Sequence, residues 1–238
     1  MSNEQVVFCV AGMHRSGSSL FANWLQNCGI FIGENLLGAA SSNPYGHFED
    51  LDFLFLNSSE LVSNNLDPSG LFGNLLNLKV SESFFVKAAE LIDERSNKVV
   101  WGWKEPRTTL LLDDWKIVIP NLKVIIVQRG QDKIVNSLYA RLKKNHWYLT
   151  NNPLKKIWWY IDIDLRPRKW KRVFHKTCIQ YEAAWRKFQQ RHPKDVLIVE
   201  LSEFIHDHEL QVKRINNFLE LELPFNQLES VIDRNILN

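Results

Sequence analysis

Surplus charge is what this sequence has least of. Its 29 Lys and Arg stand against 27 Asp and Glu, a formal net charge of +2 over 238 residues. Bulk electrostatics therefore select no partner, and no nucleic-acid partner is expected. Cysteine is scarce as well. Cys9, Cys28 and Cys178 are too few and too scattered for a disulfide framework or a zinc site, and free cysteines of this kind are ordinarily buried and reduced. No apolar run approaches the roughly 18 residues of a membrane span, and the stretch Met1-Ser2-Asn3-Glu4-Gln5 carries no basic leader region. Internal repeats, low-complexity tracts and linkers are missing too. These absences predict a soluble, cytoplasmic protein folded as one domain over residues 1–238.

What is there is an alternation of short apolar strands and amphipathic helices. Gln5 to Ala11, Lys98 to Trp103, Leu122 to Val127 and Asp195 to Glu200 read as strands. Ser18 to Cys28 reads as a helix with Leu20, Phe21, Trp24, Leu25 and Cys28 on one face, closed by Gly29. Further helices are predicted over 51–62, 81–95, 108–115 (after Pro106), 132–144, 170–191, 208–220 and 225–235. Residues 38–48 and 64–77 are rich in turn formers and read as loops. Strands alternating with helices predict an α/β fold, a central parallel sheet with helices on both faces. In such folds ligands sit beyond the carboxyl ends of the strands. Three of the strands end in polar clusters, GMHRSGSS, WKEPR and QRGQD, which predicts that the three meet at one crevice.

The first cluster has the outline of a phosphate loop: strand, Gly12, four residues, Gly17, Ser18-Ser19, helix. Gly12 and Gly17 permit unusual backbone angles. Backbone amides at a helix start favour an anion, Ser16, Ser18 and Ser19 add hydroxyls, and Arg15 adds a planar fork suited to phosphate or sulfate. A nucleotide triphosphatase has Lys where this chain has Ser18. Where a magnesium ion would need a carboxylate, the other strand ends offer Lys104 and Gln128-Arg129. The pattern therefore predicts direct capture of an anion, with no metal.

HRSGSSL resembles the 5′-phosphosulfate-binding loop of the sulfotransferases that use 3′-phosphoadenosine 5′-phosphosulfate (PAPS) and release adenosine 3′,5′-bisphosphate (PAP). The resemblance lies nearer bacterial and Golgi-type members than cytosolic ones. It implies a P-loop-type three-layer sandwich, and it extends along the chain. VIIVQRGQDKIVNSLYAR is similar to the family's second signature, with Arg129 at the strand end, Ser137 eight residues on and Arg141 four beyond; the resemblance implies that these three bind the 3′-phosphate. Lys104-Glu105-Pro106 is similar to a Golgi-type element, which implies that Lys104 stabilises the sulfuryl group in transfer, with Arg107 a weaker candidate for the same pocket. An acceptor hydroxyl needs a base. Glu49 in GHFE resembles an acidic element of bacterial members and is favoured, with His47 and His14 as alternatives. His14 is also counted, with Gly12, Arg15, Ser16, Gly17, Ser18 and Ser19, among the donor-binding residues. The family's Gly-rich C-terminal segment is missing, and Leu201-Ser202 stands where Tyr-Glu is usual. The resemblance implies sulfuryl transfer from PAPS to a hydroxyl or amine of an acceptor, a carbohydrate among the candidates. The alternatives are a P-loop kinase or other phosphotransferase, and a PAP-binding protein without activity.

Residues 143–176 resemble no signature and are expected to form a basic, aromatic helical segment on the acceptor side. Ten Lys and Arg against Asp162 and Asp164 interleave with Trp147, Tyr148, Trp158, Trp159, Tyr160 and Trp170. Three readings stand: a lid that holds a carbohydrate or anionic acceptor, a helical packing element with Trp in the core, or attachment to an anionic surface such as nucleic acid or membrane.

Overall fold

Strand β1 (Val6–Ala11) decides the topology, because it is paired on both edges. The computed structural model, which describes residues 5–39, 43, 46–145 and 152–232, places β1 between β4 (Val100–Lys104) and β5 (Lys123–Gln128), with β6 (Val196–Glu200) beyond β5. All three pairings are parallel, and Val6 lies opposite Val100, Phe8 opposite Lys123 and Val124 opposite Val196. The chain leaves β1 for one edge and returns to the other. The loop after β1 thus stands at the topological switch point, where open α/β sheets bind ligands.

The strands are apolar on both faces because both faces are covered. Val7, Cys9 and Ala11 of β1, with Val124 and Ile126 of β5, face a core built with α2 (Leu51–Ser63), α3 (Glu82–Asp93), α4 (Leu112–Val118) and the end of α7 (Pro167–Arg191). Its centre is aromatic: Phe53 stacks on Trp103 at 4.1 Å, and Trp115 sits 5.2 Å from Trp103. Phe8 and Val10, with Ile125 and Val127, face the opposite core against α1 (Ser18–Asn27), α8 (Leu201–His206), α9 (His208–Leu219) and α10 (Asn226–Ile232). Each fully buried side chain of this size stabilises the fold by roughly 1.5–3 kcal/mol. This is the expected three-layer α/β sandwich. A third cluster, around Ile134, Leu138, Trp170, Phe174 and Tyr181, packs α5 (Gln131–Asn145) on α7 beside the loop residue Met13.

Local signals set the element ends. After α1, the Gly29 amide bonds the Gln26 carbonyl and the Ile30 amide bonds the Leu25 carbonyl, with Gly29 at φ 80°. This is the double closure that a helix followed by glycine adopts. The helix predicted over 108–115 is instead two pieces, a 3₁₀ turn (Pro106–Leu110) and α4. The Glu105 side chain caps the turn by accepting from the Thr108 amide at 3.0 Å, and Thr109 Oγ accepts from the Gly12 amide at 2.8 Å. These bonds hold the turn away from the line of α4. One helix was not predicted, α8, which follows β6 without a loop, while α6 (Pro153–Leu165), capped by Asn152, falls within the segment 143–176 expected to be helical. A two-residue antiparallel pair, β2 (Leu36–Leu37) with β3 (Glu49–Asp50), was also not predicted. The helix expected over 225–235 is α10, its predicted end lying outside the described residues, as do Trp147 and Tyr148.

Candidate active site

The three polar strand ends do meet. They open onto a cleft of about 600 Å³ lined by the loop after β1, by His47 and Glu49, by Lys104, by the first turns of α5 and by the start of α8. Of the residues singled out in the sequence, His14, Arg15, Gly17, Ser18, Ser19, His47, Glu49, Lys104, Arg129, Ser137 and Arg141 line it.

The loop and α5 are joined through Arg15. Its backbone is left-handed, at φ 69°, a conformation rare outside glycine. Its Nε donates to Ser137 Oγ at 2.9 Å, while Arg129 donates to the Arg15 carbonyl at 3.2 Å. Ser137 has accepted one bond and keeps its own proton to donate. Arg15, Arg129 and Arg141 form a cationic rim. Burial lowers all three guanidinium pKa values, and mutual repulsion adds to the shift of Arg15 and Arg141. A rim of this kind is relieved by an anion. Gly17 caps α1 at φ 100° and no side chain caps that helix, so the first-turn amides are left to whatever the cleft holds.

At the other end Lys104 is saturated. Its ammonium donates to Glu49 Oε1 at 2.9 Å, to the His47 carbonyl at 3.1 Å and to Ser19 Oγ at 3.4 Å. Ser19 in turn donates its one proton to the His47 carbonyl at 3.0 Å, so that hydroxyl is committed to the protein. Burial would raise the Glu49 carboxyl. The Lys104 charge and hydrogen bond outweigh it, with Arg107 3.8 Å away adding to them, and hold the group at about 2. Burial also lowers the His47 imidazole below its ordinary value, which keeps it neutral and able to accept a proton at pH 7.

Four of the expected residues are held by other groups or lie off the cleft wall. Gly12 and Ser16 do not line the cleft. The Gly12 amide is used by Thr109, and the buried Ser16 hydroxyl, which has no partner among the described residues, borders a smaller recess of about 270 Å³ behind the loop. His14 lines the cleft and is held neutral. Its Nε2 lies 3.0 Å from the Ser69 carbonyl, which can only accept, so the proton sits there. Burial, then the charge of Arg107, push its pKa well below the ordinary value. Arg107 lies outside the cleft, bonded to Glu105 and, at 2.7 Å, to the Pro68 carbonyl.

Sequence reading missed Lys133 and Glu200, which both line the cleft. Lys133, Ser137 and Arg141 recur every four residues on one face of α5, a signal that could have found the lysine. Glu200 ends β6, and burial raises its carboxyl. None of the described residues between 143 and 176 lines the cleft.

Residues 110–238, more than half of the chain, match the model of the sulfotransferase domain. The chain belongs to the sulfotransferase family. Among solved structures, the fold of this sulfotransferase is similar to that of an enzyme from Mycobacterium avium (TM-score 0.67, 13% identity, 98% of this chain and 69% of the other). It is also similar to the sulfotransferase domain of the curacin biosynthetic pathway (0.55, 13%, 94% and 76%) and to a sulfotransferase from Alicyclobacillus acidocaldarius (0.51, 14%, 98% and 97%). No curated protein matches the chain in sequence. The family match begins at Leu110 and so includes Arg129, Ser137 and Arg141. The loop, Glu49 and Lys104 precede it.

Proposed function

We propose that this protein transfers a sulfuryl group from PAPS to a hydroxyl or amine of an acceptor. The observation that carries the reading is the join between loop and α5: Arg15 donating to Ser137, with Arg129 on the Arg15 carbonyl. It makes one continuous anion-binding rim out of two elements, which suits a ligand with phosphate groups at both ends of a nucleoside.

In this reading the amides of Gly17 and Ser18 and the Arg15 guanidinium hold the 5′-phosphosulfate. Arg129, Ser137 and Arg141 hold the 3′-phosphate, with Lys133 nearby. The acceptor oxygen forms a bond to sulfur as the bond from sulfur to the phosphate oxygen breaks, and PAP leaves with the electron pair. Lys104 stabilises the negative charge gathering on that oxygen. To do so it turns from Ser19 and loosens its bond to Glu49. The acceptor proton passes to Glu49 or to His47. Asn23, Asn43, Ser202 and His206 give the cleft further hydrogen-bonding groups, a lining that suits a polyhydroxylated acceptor such as a carbohydrate. The described cysteines are free, and among the described residues no helix is long and apolar enough to cross a membrane. Both support placing the protein in the cytoplasm.

The test is thermal stability with PAP, and with ATP and Mg²⁺ as control. A ligand at 100-fold excess over Kd adds about 2.7 kcal/mol, which raises Tm by roughly 5–10 °C at this size. A shift with PAP and none with ATP supports the reading. A shift with ATP and Mg²⁺ alone overturns it in favour of a phosphotransferase.

A further inference from the structure

Helix α6 carries its apolar residues on two sides. Trp159 and Ile163 face inward, Trp159 lying 5.4 Å from Trp170 and the Ile163 carbonyl accepting from Tyr139 at 2.9 Å. Leu154, Ile157, Trp158, Ile161 and Leu165 fall within about 100° of one another on a 3.6-residue helix, roughly opposite to that inner side. All five are exposed, Leu154 at 77%, Trp158 at 56% and Leu165 at 75%. A helix that has already spent one apolar side on its own core does not need a second one for folding.

Basic residues flank α6 along the chain. Lys155 lies at its start, and Arg166, Arg168 and Arg172 follow its end, all exposed. The acids are internally neutralised. Asp162 accepts from Lys169 and Trp170 and pairs with Arg166, and Asp164 pairs with Lys143 at 2.5 Å. At 13 residues α6 spans about 20 Å, too short for the roughly 30 Å hydrocarbon core of a bilayer. Apolar residues including Trp on one face, with a basic rim, suit a helix lying in the plane of an anionic membrane surface. A second copy of the chain fits less well, since a self-complementary contact would set the basic ends against each other. The acceptor cleft is elsewhere.

We propose that the outer face of α6 docks the protein on an anionic lipid bilayer. Its apolar residues enter the headgroup boundary, and Lys155, Arg168 and Arg172 meet lipid phosphates. The surface does not depend on the catalytic reading. The test is flotation of the full chain with vesicles of phosphatidylcholine alone, and of phosphatidylcholine with phosphatidylserine. Binding is expected to the anionic vesicles and to weaken with salt. The Leu154→Ser/Trp158→Ser variant is expected to lose about tenfold or more in affinity. The Arg168→Glu/Arg172→Glu variant is expected to lose about tenfold on anionic vesicles only. Both should keep the wild-type melting temperature and PAP response, since all four positions are exposed. Bromolipid quenching, read as the difference between wild type and Trp158→Phe, reports the same contact without a polar substitution. Failure of the wild type to float, or flotation indifferent to both variants, overturns the proposal. So does a dimer seen by light scattering that the Ser variant abolishes without vesicle binding, or binding of an oligonucleotide in place of vesicles.

Discussion

Lys104 Nζ lies 2.9 Å from Glu49 Oε1, with both side chains nearly inaccessible to solvent. The carboxylate is therefore ionised but weakly basic, and the ammonium is held by protein groups on every proton. Such a pair works only if something takes Lys104 away. A donor oxygen in the cleft would do so, leaving Glu49 with less positive charge and a higher proton affinity. With Glu49 as the proposed base, loading the donor would then raise its basicity.

This gives a pH signature. The kcat/KM profile reports the free enzyme and the kcat profile the loaded one. With Glu49 as base, kcat/KM should show no acid limb above about 4, because its pKa is about 2. The kcat limb should move up toward the ordinary carboxylate range. Glu49→Gln should lower kcat by about 10²–10⁴ and leave PAP affinity nearly intact. If an acid limb instead sits below 6.5 and disappears in His47→Gln, the base is His47.

Arg129→Ala should weaken PAP binding by roughly 10- to 100-fold, the value of a charge-assisted hydrogen bond of about 1.5–3 kcal/mol, with a smaller effect on kcat. Titration calorimetry checks this. A large kcat loss at unchanged affinity would remove Arg129 from the 3′-phosphate. Arg15→Ala and Ser137→Ala should be coupled by about 0.5–3 kcal/mol in a double-mutant cycle, since they touch. Strict additivity would separate them.

The two loop glycines should respond differently to alanine. At Gly17, φ is 100° and a Cβ would lie 2.5 Å from Leu201 Cδ1. Gly17→Ala should cost about 1–3 kcal/mol, and Leu201→Ala should recover part of that by removing the clash. At Gly12 the Cβ would meet the Val127 backbone oxygen at 2.5 Å, which no side-chain substitution can move. Urea denaturation of the single and double variants measures both.

His14 should make the fold acid-sensitive before the carboxylates do. Its folded pKa lies well below 6.5, so below pH 6.5 the unfolded chain binds a proton that the folded chain refuses. Stability then falls as pH falls. Glu49, held at about 2 against an ordinary 4.5, adds a loss of the same sign below about 4.5. Asp50 opposes both, since burial, against the pull of Arg95, raises it to about 6, and its contribution declines as pH rises from about 4 to 6. The difference between wild type and His14→Gln isolates the first effect. Tm curves of the two that run parallel from pH 7 to 5.5 would show that His14 is not held neutral.

The strands and the loop were legible because they obey short-range rules: β-branched apolar runs of six residues, and glycines where the backbone turns left-handed. Arg129 and Ser137 were legible by spacing. What the sequence hid was commitment. Nothing in HRSGSS says that Ser19 commits its proton to His47, that Ser16 borders another recess, or that His14 is buried against the Ser69 carbonyl, since those partners lie 28 to 55 residues away or face another recess. Lys104 and Glu49 were each found, but not their pairing. The bounds of α6 escaped because it is apolar on two sides and so shows no single stripe.

The arrangement of β1 has a consequence for how the chain comes to exist. Residue 6 finds its strand partner at residue 100 and residue 8 at residue 123. Such distant pairing closes late, because chain entropy opposes it until many contacts form together. During synthesis, then, Val6–Ala11 emerges with both edges unpaired and waits for nearly a hundred further residues, a ready template for unwanted association. The most buried strand of the finished protein is the most vulnerable segment of the nascent one, and the loop it carries acquires its shape only when the second half of the molecule arrives.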